Sequence, residues 1–70
     1  MGTGERIKAA RQAAGMTQRR VAEALDMDAA TLSRWERGKA CPRSEALPAL
    51  AALLGVTVDA LLSPPNGRGA

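Results

Sequence analysis

Apolar residues recur along this chain at the spacing of one helix face, and short polar signals cut the pattern into five segments. In the first, Ile7, Ala10, Arg11 and Ala14 fall at i, i+3, i+4 and i+7, with Thr3 placed to cap the start and Gly15 to stop it. The second opens at Thr17, with Met16 before the cap and Val21 four positions on; the third opens at Asp28, with Met27 outside and Leu32 inside. The fifth repeats this arrangement at Thr57, between Val56 and Leu61. Each flanking apolar pair forms a hydrophobic staple, which fixes the angle at which the chain enters a helix. The fourth segment carries Leu47, Leu50, Ala51 and Leu54 and ends at Gly55. Its start is open: Pro48 fits either as the first helical residue after Leu47 or just inside a cap at Ser44. The residues after Leu62, SPPNGRGA, are dominated by proline and glycine and are expected to form a disordered tail over 63–70, leaving one domain over 1–62.

Between the second and third segments there is almost no linker, only Leu25, Asp26 and Met27. So short a connection makes two short helices meet steeply and share one core, a helix-turn-helix over residues 17 to 39. Val21, Leu25, Met27, Leu32 and Trp35 supply that core, with small Ala22 at the close approach. On a helical wheel Asp28, Leu32 and Trp35 cluster inward with Glu36 beside them. Ala30, Ser33, Arg34 and Arg37 point outward, with Ala29 at the margin. The outer face is therefore small near the helix start and basic near its end. Small residues let a helix lie deep in a DNA major groove while longer arginines reach bases or phosphates. Arg19 and Arg20 are exposed on the second helix, and Arg19 either reaches a phosphate backbone or pairs with Glu23 one turn on.

Composition supports the helical reading. Alanine and leucine abound, β-branched residues are scarce, and Trp35 is the only aromatic residue, so the chain is expected to be all-α. At 70 residues it forms one domain, too small to enclose a substrate pocket. The net charge of +3 says less than its distribution. Arg34, Arg37, Lys39 and Arg43 crowd one stretch against Glu36 alone, whereas Asp59 is the only charge between residues 46 and 67. A local basic patch is the electrostatic footprint of a phosphate-binding surface. Cys41 is the only cysteine and there is no histidine, so neither a disulfide within the chain nor a metal site is expected. With no histidine, no acid pair on one face and no phosphate-cradling glycine loop, an enzyme finds no support. No cofactor or small-molecule ligand is expected. No apolar run reaches the roughly 18 residues that span a bilayer, and MGTGER lacks the apolar region of a signal peptide, so no membrane association is expected.

The stretch GMTQRRVAEALDMDAATLSRWERGKACP resembles the Cro/CI-type helix-turn-helix of phage repressors and related small bacterial regulators, the XRE family. The likeness lies in Thr17-Gln18, Val21-Ala22, Leu25, Leu32, the run Trp35-Glu36-Arg37-Gly38-Lys39, and Pro42, and LAALLGVTVDALL resembles the family's last two helices. It covers about Glu5 to Leu62. The resemblance implies a five-helix, lambda-repressor-like DNA-binding domain, a sequence-specific regulator of transcription and most simply a repressor, in the cytoplasm of a bacterium or of a phage host and with the nucleoid when bound. By the same resemblance Ala29, Ala30, Ser33 and Arg34 match base-facing positions. Gln18, Arg37, Lys39 and the loop to Arg43 match positions on the phosphate backbone, to which Arg19 is added. Arg11 and Glu36 match a structural ion pair linking the first helix to the end of the third. Two departures stand out. Asp26 replaces the glycine usual in the turn, a substitution aspartate tolerates better than most residues. Alanine at two base-facing positions leaves contact with thymine methyls as their contribution, so Arg34 becomes the principal reader, bidentate to a guanine.

Val58, Leu61 and Leu62 make an apolar stripe on the last helix. Either it closes the monomer's core or it joins two copies, as the C-terminal helices of related repressors do. The second reading gives a homodimer on a roughly palindromic operator, with recognition helices one DNA turn apart. A protein-interaction module of the antitoxin kind is the rival function; the short tail offers little surface for such a partner.

Overall fold

A computed structural model describes residues 2–62, which fold as five helices in the order α1 (Thr3–Ala13), α2 (Gln18–Ala24), α3 (Ala29–Glu36), α4 (Ala46–Leu54) and α5 (Val58–Leu62). The expected tail over 63–70 lies outside the described residues.

The helix starts follow local chemistry, with three corrections. Thr17 Oγ1 accepts a hydrogen bond from the Arg20 amide at 3.0 Å, and Thr57 Oγ1 accepts one from the Ala60 amide at 3.0 Å, so both threonines cap as expected. Thr3 does not cap α1. Gly2 takes that place in extended backbone, and its amide donates to Glu5 Oε1 at 3.2 Å, which puts a carboxylate over the positive end of the helix. Asp28 occupies the cap position of α3, yet its side chain makes no capping bond. For α4 neither expected start holds. A turn in which the Ala46 amide donates to the Arg43 carbonyl and the Leu47 amide to the Ser44 carbonyl leads into a helix that begins at Ala46. Pro48 is its third residue, where the missing N–H has no helical partner to lose.

Helices α1 and α2 end alike. After α1, Gly15 at φ 73° lets its own amide bond the Gln12 carbonyl and the Met16 amide bond the Arg11 carbonyl. After α2 the same pair of bonds runs from Asp26 to Glu23 and from Met27 to Ala22, with Asp26 held at φ 57°. The turn thus keeps the geometry a glycine would give it, using a residue that enters left-handed backbone at moderate cost.

Every helix contributes to a single core: Ile7 from α1, Val21 and Ala22 from α2, Leu32 and Trp35 from α3, Leu47, Leu50, Ala51 and Leu54 from α4, and Leu61 from α5. Leu25 and Met27, expected to help supply this core, are partly buried and pack against it. Helix α1 packs against α3 and α5, α2 against α3, and α4 against α5, so α3 is held from two sides. One contact is especially close. A Cβ placed on Gly4 would fall 2.0 Å from the Trp35 carbonyl oxygen, so the start of α1 lies directly on the last carbonyls of α3. Leu61 is 1% exposed, which makes it a core residue and removes it from the apolar stripe expected at a dimer contact. Leu62 is 47% exposed and Val58 is half-buried, so these two carry what remains of that stripe.

Candidate nucleic-acid interface

The unit that could meet DNA is α2, its turn and α3. Leu32, Trp35 and Glu36 fix α3 by burying one face, while Ala30, Arg34 and Arg37 are exposed on the other, with Ala29 and Ser33 half-buried between them. The helical wheel misplaced one residue. Asp28 is exposed, because a cap residue has non-helical backbone (φ −78°, ψ 139°) and a 100° step does not apply to it.

The charges sort by burial. Glu36 is 5% exposed and its carboxylate faces inward: Oε2 accepts from Arg11 Nε at 2.7 Å, and Oε1 accepts from Arg11 Nη2 at 3.2 Å. Arg11 also donates from Nη1 to the Met16 carbonyl at 2.8 Å, tying α1 to the approach to α2. The only acid between residues 34 and 43 is therefore withdrawn from the surface, while Arg34, Arg37, Lys39 and Arg43 are all exposed. Every charge exposed there is basic.

The arginines differ in how far they are committed. Arg37 Nε donates to the Ser33 carbonyl at a long 3.4 Å. Arg19 pairs with Glu23 at 3.4 Å, with both side chains mostly in water, where such a pair contributes little. Among the described residues Arg34 has neither an ion pair nor a side-chain hydrogen bond, so its whole donor fork is available. Gln18, expected at a phosphate, also turns inward: Nε2 donates to Glu36 Oε1 at 2.9 Å.

Two features escaped the sequence. The Gln18–Glu36 bond joins residues with no periodic relation. The close approach at Gly4 did leave a signal, since glycine inside a helix is costly relative to alanine and implies a neighbour too near for a side chain. Among the described residues no cluster of acids, cysteines or histidines could hold a metal, and no helix is long and apolar enough to cross a membrane.

Comparison with known proteins agrees with this geometry. A family profile described as helix-turn-helix matches residues 7–61. The chain is 42% identical over 62 residues to the HTH-type transcriptional regulator ImmR of Bacillus subtilis (strain 168), covering 89% of this chain and 49% of that protein. It is 36% identical over 59 residues to the HTH-type transcriptional activator BcrR of Enterococcus faecalis, covering 84% of this chain and 29% of that protein. It thus spans half or less of either relative's length. Among solved structures, the P22 c2 repressor in complex with a synthetic operator superposes with a TM-score of 0.83 at 32% identity, over 90% of this chain and 96% of that one.

Proposed function

Because the chain belongs to the Cro/CI-type helix-turn-helix family of transcriptional regulators, we propose that it binds double-stranded DNA sequence-specifically and reads the major groove with α3. The observation that carries this reading is the sorting of charge around that helix: Glu36 is buried against Arg11, and the exposed side is left to small residues, Arg34 and a basic rim. A supporting likeness is the P22 c2 repressor, which was solved on an operator.

In this mechanism Arg34 reads a guanine edge, Ala29 and Ala30 lie against thymine methyls, and Ser33 sits between them. Gln18, Arg37, Lys39 and Arg43 hold the phosphates and set the register of α3 without reading sequence. Arg19 joins them only by leaving Glu23. Two copies meet through Leu62 and Val58, which spaces two recognition helices about 34 Å apart on a near-palindromic site. Occupancy of a promoter then excludes polymerase, and the protein acts as a repressor in the bacterial cytoplasm.

Selection from a random duplex library followed by a salt titration tests the reading. The expected result is a near-palindromic consensus with a guanine in each half-site, and affinity that falls steeply as salt rises. Binding indifferent to both sequence and salt would overturn it. A single protomer per duplex at saturation would remove the dimer alone, and a promoter reporter that rises on binding would replace repression with activation.

A further inference from the structure

The Arg11–Glu36 pair ties α1 to the end of α3, but it leaves unexplained why the same carboxylate also holds Gln18. Glu36 Oε1 takes two donors at once, Arg11 Nη2 at 3.2 Å and Gln18 Nε2 at 2.9 Å. Gln18 is the first residue of α2, next to the capping Thr17, and it is half-buried. An unconstrained glutamine amide presents either end to a ligand: its nitrogen with two N–H donors, or its oxygen, which only accepts. A phosphate only accepts as well, so the wrong end repels it.

We propose that Glu36 is a positioning residue for DNA binding, which holds one N–H of the Gln18 amide so that the second N–H on the same nitrogen is the group offered to a backbone phosphate. An ionised carboxylate is acceptor-only, so it engages only the nitrogen end of the amide. One N–H is consumed by Glu36, and the other makes no hydrogen bond among the described residues. The negative charge that does this is matched by Arg11, bidentate and itself mostly buried (side chain 11% exposed), so it does not confront the phosphate unpaired. A neutral glutamine in place of Glu36 would fill the same space but could meet Gln18 with either end, and the preset would be lost. The proposal rests on the DNA-binding reading and adds a division of labour to it: the residue that touches the phosphate is aimed by one that does not.

The test is a double-mutant cycle on Gln18→Ala and Glu36→Gln, with duplex affinity measured below the unfolding transition of every variant. In the native background Gln18→Ala is expected to weaken binding roughly tenfold, on selected and random duplexes alike. The salt slope should not change, because a neutral side chain releases no counterion. In the Glu36→Gln background the same change should cost only about twofold, since an unaimed amide contributes little. Equal losses in the two backgrounds overturn the proposal.

Should Glu36→Gln fail to fold, the side-chain amide signals of the native protein decide. Gln12 is exposed and serves as an internal reference. The two Gln18 amide protons are expected to be more widely separated, and slower to exchange with water, than those of Gln12. Indistinguishable behaviour of the two glutamines overturns the proposal. A protein that binds no duplex at any salt concentration removes the DNA reading and this inference with it, while the amide signature would persist; the two failures are therefore told apart.

Discussion

Replacing Gly4 with alanine sets two effects of opposite sign against each other. Gly4 lies within α1, where alanine is the better helix former by about 0.5–1 kcal/mol. Against this, the new Cβ would lie 2.0 Å from the Trp35 carbonyl oxygen, 3.0 Å from the Glu36 carbonyl oxygen and 3.1 Å from the Glu36 carbonyl carbon. All three are backbone atoms, so no side-chain rotation relieves the overlap, and α1 must withdraw by more than about 1 Å to reach ordinary contact distance. That movement draws Ile7, fully buried, off the core and stretches the 2.7 Å bond between Arg11 and Glu36. Overpacking of this kind costs about 1–3 kcal/mol or more, and with rigid partners the upper end applies. The net effect is a loss of about 2 kcal/mol, which for a domain this small lowers Tm by roughly 8–16 °C. Thermal melts followed by circular dichroism measure it, with Ala9→Gly at an exposed position of the same helix reading the propensity contribution by itself. A Gly4→Ala protein that melts at or above the native temperature would mean that helix propensity dominates and that the α1–α3 contact is looser than described.

Arg34→Ala is expected to cost roughly 1–3 kcal/mol on the selected site and to relax the preference at one base pair, whereas Lys39→Ala should weaken all duplexes about equally and flatten the salt slope; identical behaviour of the two in binding titrations would contradict the separation of base reader from phosphate anchor. Asp28→Ala should spare stability, losing well under the ~1 kcal/mol typical of a capping residue, because its side chain makes no capping bond; urea titration checks this. Leu61→Ala should destabilise the monomer by about 2–5 kcal/mol, while Leu62→Ser should leave its melting temperature nearly unchanged and instead weaken self-association in sedimentation equilibrium.

The residues that the sequence made legible act over one turn or repeat at a helical period. Thr17 and Thr57 bond amides three residues on, and the buried face of α3 follows from the spacing of Leu32 and Trp35. The failures share a cause. Asp28 looked inward because a helical step was applied to a residue outside the helix. Thr3 lost the capping role to Gly2 because Glu5 reaches back to the Gly2 amide, a contact that needs no side chain on the cap. Leu61 and Leu62 were grouped in one apolar stripe although Leu61 alone stands at a staple position, and the docking of α5 on α1 and α4 covers Leu61 and leaves Leu62 out. The exposed positions of α3 were legible from the pattern, but not the state of the side chains around them. That Gln18 is turned toward Glu36, and that Arg37 bonds the Ser33 carbonyl while Arg34 makes no side-chain bond among the described residues, depends on partners the pattern does not pair.

The placement of Glu36 has a consequence for how freely this recognition unit can be moved between proteins. Residues 17 to 39 include the carboxylate but not the guanidinium that neutralises it, which comes from Arg11 in α1. Grafted alone onto another scaffold, the segment would bring with it a buried charge lacking its counter-charge, at a cost comparable to the stability of a whole small domain. The smallest transferable unit therefore begins at α1, and the exposed face of α3 proposed to read DNA is portable only together with the helix that supplies Arg11.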